Sequence, residues 1–109
     1  MSRKNIIESV VRRLIVEAKT SGYVVKSIFD TEEIIKNENF TISQLVKLAT
    51  GTDFARIDFV KAGVLEDAKF AVFMVYENKP SEMISDHTDT VEADKICRKV
   101  HDYFVDKGQ

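Results

Sequence analysis

The densest group of chemically capable side chains in this 109-residue sequence is Ser85-Asp86-His87-Thr88-Asp89-Thr90. Asp86, His87 and Asp89 set two carboxylates beside an imidazole, a combination that could ligate a divalent metal or work as an acid–base group. Their spacing matches no standard ligand motif. The plainer reading is a segment that leads into the last helix, with Asp89 and Thr90 as capping residues and His87 as a polar loop residue. No catalytic residue, metal ligand or cofactor is therefore assigned. A small metal-dependent enzyme centred on Asp86, His87 and Asp89 stands as an alternative.

The other reactive side chains point the same way. Cys97 falls on an apolar helical stripe with Ala93 and Val100, where a cysteine acts as a small hydrophobe. His101 lies toward the C-terminal end of that helix, where a cation suits the helix dipole. Gly51 and Gly63 stand alone, and no G-x-S-x-G, phosphate-binding loop or dinucleotide fingerprint is present. These absences favour binding over catalysis.

Charge is unevenly placed along the chain. Arg3, Lys4, Arg12, Arg13, Lys19 and Lys26 outnumber Glu8 and Glu17 in residues 1–26. In residues 77–94, Glu77, Glu82, Asp86, Asp89, Glu92 and Asp94 face only Lys79. The acidic stretch reads as a surface for a basic protein patch, with Tyr76 and Phe73 as neighbouring aromatic anchors. The expected partner-binding residues are Tyr76, Glu77, Glu82, Asp86, His87 and Asp89. Arg3, Lys4, Arg12 and Arg13 could instead meet phosphates, which makes nucleic-acid binding by the first helix a further alternative. The net charge of −2 gives no global bias toward nucleic acid.

The elements that would position these residues follow from periodicity. The length fits one domain over 1–109. A composition that is 44% hydrophobic and 31% charged can bury a core and argues against disorder. A single cysteine excludes an internal disulfide and suits a reducing, cytoplasmic setting. No apolar leader follows the basic start, and the longest apolar run, Phe70 to Tyr76, is far too short to span a membrane.

Ile7, Val11, Leu14 and Ala18 predict a helix over 3–20, capped by Ser2, supported by a Glu8–Arg12 pair and stopped at Gly22. Residues 23–29 predict a strand. Residues 33–36 read as a weaker strand closing a hairpin, with a short helix over 31–36 as the competing reading. Thr41 and Gln44 predict a capping box for a helix carrying Ile42, Leu45, Val46 and Ala49. Alternation over 54–61 and an apolar run over 69–77 predict two strands joined by residues 62–67. The second is apolar on both faces, which implies cover from helices on one side and from a partner or second layer on the other. After a turn at 78–81 and an irregular stretch over 82–89, Asp89 and Glu92 predict a last helix, with an Asp94–Arg98 pair. The expected fold is α+β in the order α-β-β-α-β-β-α, a four-stranded antiparallel sheet with helices packed on one face.

The stretch from Phe73 to Asp89, and most specifically Ile84-Ser85-Asp86-His87-Thr88-Asp89, resembles small phage and prophage proteins with an Ile-Ser-Asp-x-Thr-Asp segment before the last helix. Those proteins also open with a helix running into Gly-Tyr and a strand, as Ala18 to Val25 do here. Where they often carry Gly-Asn-Gly in the turn, this chain has Glu77-Asn78-Lys79. The resemblance carries over no catalytic residue. It implies an accessory protein of a phage or mobile element that binds a host protein, including defence machinery. The expected function is thus non-catalytic protein binding, with homodimerisation as a second form of it.

Overall fold

A computed structural model describes residues 2–63 and 68–109. Helix α1 (Arg3–Thr20) begins where the Ser2 hydroxyl accepts the Asn5 amide at 3.2 Å. It buries Val10, Val11, Leu14, Ile15 and Ala18. The helix gives way at Gly22, whose φ of +90° is disfavoured for side-chain-bearing residues. The ion pair on this helix is Arg13–Glu17 at 3.8 Å. Arg12 donates to the Ser43 hydroxyl at 3.2 Å, and the expected Glu8–Arg12 ion pair is not among those of the described residues.

Strands β1 (Tyr23–Phe29) and β2 (Ile34–Lys36) form an antiparallel hairpin, so 34–36 is strand and not helix. Its turn is fixed by the Asp30 carboxylate, which accepts the amides of Glu32 and Glu33 at 3.1 and 3.0 Å. These donors stabilise the carboxylate and hold its pKa below the usual value. Helix α2 (Ile42–Ala49) carries the full capping box. Thr41 accepts the Gln44 amide at 3.2 Å, and Gln44 accepts the Thr41 amide at 2.8 Å.

Strands β3 (Phe54–Lys61) and β4 (Lys69–Val75) pair antiparallel along their length. The connection expected over 62–67 is described as far as Gly63, and residues 64–67 lie outside the described residues. A 3-10 turn (Pro80–Glu82) follows β4, then strand β5 (Ile84–His87) and helix α3 (Val91–Asp106).

Among the described residues the sheet therefore has five strands, in the order β2-β1-β3-β4-β5, and not the expected four. The segment read as irregular over 82–89 supplies the fifth. Its sequence hides it because β5 is short, pairs with β4 alone and carries one apolar side chain, Ile84. Short polar strands of this kind protect sheet edges from further pairing. The start of α3 also differs. Thr90, in extended backbone, accepts the Ala93 amide at 3.2 Å and is the N-cap, displacing the expected Asp89 by one residue.

Two irregularities set which side chains share a face. Lys26 is an extra residue between the pairs Val25–Phe59 and Ser27–Asp58. The Asn37 side-chain amide donates to the Val25 carbonyl at 2.8 Å, and the Asn37 backbone amide donates to the Lys26 carbonyl at 2.9 Å. Ser85 is the corresponding extra residue between Asp86–Phe73 and Ile84–Met74. With these shifts, Tyr23, Val25, Ile28, Ala55, Ile57, Phe59, Phe70, Val72 and Met74 fall on one face. They join the apolar stripes of α1, α2 and α3 in one buried cluster. No helix among the described residues is long and apolar enough to cross a membrane.

Candidate functional site

Consecutive residues on a strand point to opposite faces, so β5 separates Asp86 from His87. His87 turns toward α3, where its Nε2 lies 4.0 Å from Asp94 and its Nδ1 lies 2.9 Å from the Thr88 carbonyl. Ser81, Cys97, Arg98 and His101 line the same cleft. Asp86 pairs across from Phe73 on the other face, and its carboxylate accepts the His87 amide at 2.8 Å. Asp89 is exposed beyond the strand. Among the described residues no group of three or more His, Cys, Asp or Glu is placed to hold a metal. Cys97 is 6% exposed, and burial, reinforced by Asp94, pushes its thiol pKa up to about 12. It is a neutral thiol in the folded protein, as its place on the stripe implied.

One residue of the expected acidic surface, Tyr76, lies elsewhere. Tyr76 is 3% exposed and belongs to the core. Its hydroxyl donates to the Ala49 carbonyl at 2.7 Å, and burial raises its pKa above the ordinary value. It is therefore a structural tie between β4 and α2 and not a surface anchor. Glu77 and Glu82 are exposed, one at the end of β4 and one in the 3-10 turn.

The basic residues of α1 also diverge. The Arg3 guanidinium donates to the carbonyls of Tyr76 and Asn78. Lys4 shares a cleft with Asp53 and Glu77, so the basic and acidic ends of the sequence meet there. Arg13 stacks over Tyr103, its Cζ 4.0 Å from the ring centroid, and Lys107 approaches that ring at 4.9 Å. Arg3 and Arg13 are thus engaged within the fold. Tyr103 became visible as their neighbour only in three dimensions.

Strand register also assembles the sheet face turned away from the helices. Phe29, Phe54, Phe73, Val75, Val60 and Ala71 lie on it, all partly exposed. Ile34 and Val24 on the same face are 58% and 42% exposed. Arg56 and Asp58 occupy its centre on β3. The Arg56 Nε lies 3.3 Å from the Asp58 carboxylate, and the guanidinium carbon sits 5.3 Å from the Phe29 ring centroid. Ser27 donates to Asp58 at 3.0 Å. Phe54 and Phe73 approach at 6.4 Å between centroids. The second apolar face of the 69–77 run signalled the β4 contribution. Phe29, Arg56 and Asp58 joined it only through strand register.

No family model matches the chain, and neither a curated protein nor a solved structure matches it.

Proposed function

We propose that this protein is a non-catalytic protein-binding module that works through the open face of its sheet. One observation carries the reading. Aromatic and aliphatic side chains from β1 to β4 form a continuous, partly exposed surface around the Arg56–Asp58 pair. Contiguous apolar surface rimmed by polar groups is characteristic of interaction sites. Aromatic residues with a central Arg match the composition of interface cores. The resemblance to small phage and prophage proteins supports a host protein as the target, with defence machinery as one class. Glu77, Glu82, Asp86 and Asp89 would then supply rim charge that speeds association with a basic partner.

The test is affinity capture from bacterial lysate with tagged protein, at low and high salt and after nuclease treatment. The expected result is a stoichiometric protein that survives nuclease and is lost with Phe73→Ser. Recovery of nucleic acid instead, abolished by Arg12→Glu with Arg13→Glu, would overturn the proposal in favour of the basic first helix.

A further inference from the structure

The strand register sorts the open face into rows that are complementary to one another. One row runs across the sheet as Ile34, Phe29, Arg56, Phe73 and Asp86. The next runs as Lys36, Ser27, Asp58 and Ala71. The first row is bulky and the second is mostly short. Short side chains leave a trough of about 500 Å³ lined by Ser27, Asp58, Val60, Lys69, Ala71 and Thr88. The rows also carry opposite charges at their shared centre, since Arg56 and Asp58 are neighbours on one face of β3.

From this pattern we infer that the open face is a homodimer interface, formed by two copies stacked sheet to sheet about a two-fold axis. This inference rests on the reading of the open face as a binding surface and gives it a second copy of the chain as occupant, in competition with a foreign partner. The axis lies in the interface, across the strands, between Arg56 and Asp58. It sets the bulky row of each copy over the short row of the other, so that Phe73 meets Ala71 and Phe29 meets Ser27. At the centre Arg56 meets Asp58 twice, once from each copy, as a self-complementary interface requires. Phe54 falls over Val60, Ile34 over Lys36, and Asp86 over Thr88, with no like charges opposed. An axis running along β3 would instead set Arg56 on Arg56 and Asp58 on Asp58, at a cost in repulsion. Packed sheets commonly align at about −30°, which keeps the central strands in register.

The size of the surface sets its strength. Five strands of 7, 3, 8, 7 and 4 residues, at about 3.3 Å per residue and spaced about 4.8 Å apart, give a footprint of roughly 450 Å² a side. That is at the small end of interface sizes, where association is weak and transient, so the dimer is sought at micromolar and higher concentrations.

Sedimentation equilibrium from about 1 µM to about 500 µM tests the inference, with circular dichroism confirming that each variant folds. The wild-type chain is expected to dimerise within that range. Arg56→Asp gives a face with two acids and Asp58→Arg a face with two bases. Each alone is expected to weaken the dimer at least tenfold. Mixed in equal amounts, they are expected to form a one-to-one heterodimer, and the double exchange Arg56→Asp with Asp58→Arg is expected to restore the homodimer. A wild-type chain that stays monomeric throughout overturns the inference, as does a dimer indifferent to both single substitutions. The two readings fail separately. A monomer that still captures a foreign protein in a Phe73-dependent way loses the dimer and keeps the binding module. A charge-dependent dimer that captures nothing keeps the dimer and removes the foreign partner.

Discussion

Cys97 shows how a single side chain is decided by its surroundings. Its thiol ordinarily titrates near 9.0, and burial with Asp94 nearby raises that value to about 12. Between these values the unfolded chain releases the proton and the folded chain retains it. The resulting stability is complete below pH 9 and falls as pH rises toward 12. Unfolding by urea should therefore show a shallower alkaline decline in Cys97→Ala than in wild type. A thiol reagent at pH 8 should label the native chain slowly and the unfolded chain fast. Thr31 is the contrasting case, a β-branched residue at φ +86° in the exposed turn between β1 and β2. Strain of this kind costs of order 1–3 kcal/mol, partly offset in a replacement by the larger unfolded-state entropy of glycine. Thr31→Gly is expected to raise stability by about 1 kcal/mol, read as a higher thermal midpoint.

At the scale of elements, helix starts were largely legible because a cap is a local device. Ser2 and the Thr41–Gln44 box work as their spacing implied. The α3 start was displaced to Thr90 because Asp89 and Thr90 are both good caps in sequence, and backbone geometry chooses between them. Thr90→Ala is expected to cost about 1 kcal/mol and Asp89→Ala close to nothing, measured as urea midpoints at equal m-values. The reverse order would return the cap to Asp89. Strand β5 was missed for a different reason. A short edge strand with one apolar residue has no period to detect, and its pairing is supplied by β4. Tyr76 was assigned to a surface because it follows an apolar run, whereas the β4 alternation carries it into the core beneath Ala49.

At the scale of the molecule, the two sheet faces should respond differently to truncation. Ile57 is fully buried between the sheet and the helices. Ile57→Ala is expected to cost about 2–5 kcal/mol, the combined loss of transfer energy and packing. Phe73→Ser, on the partly exposed opposite face, should cost less in a dilute monomer. Its main effect should appear as lost association at higher concentration. Equal destabilisation by both substitutions in urea titrations at about 1 µM would mean that the open face is already covered within the monomer, contrary to the binding proposal.

The sequence by itself determined what is local or periodic. The α+β class, three helices, the β1 and β3 strands and two of three caps follow from hydrogen bonds and side-chain spacing within a few residues. It also placed Cys97 on a buried stripe. Tertiary structure decided everything that depends on register between distant segments. The bulges at Lys26 and Ser85 set which face each strand residue takes. Register separated Asp86 from His87, and it gathered Phe29, Arg56, Asp58 and Phe73 from three strands into one surface. A one-residue shift in pairing reverses the face of every residue beyond it, and the bulges that set it are made by contacts between segments distant in the chain.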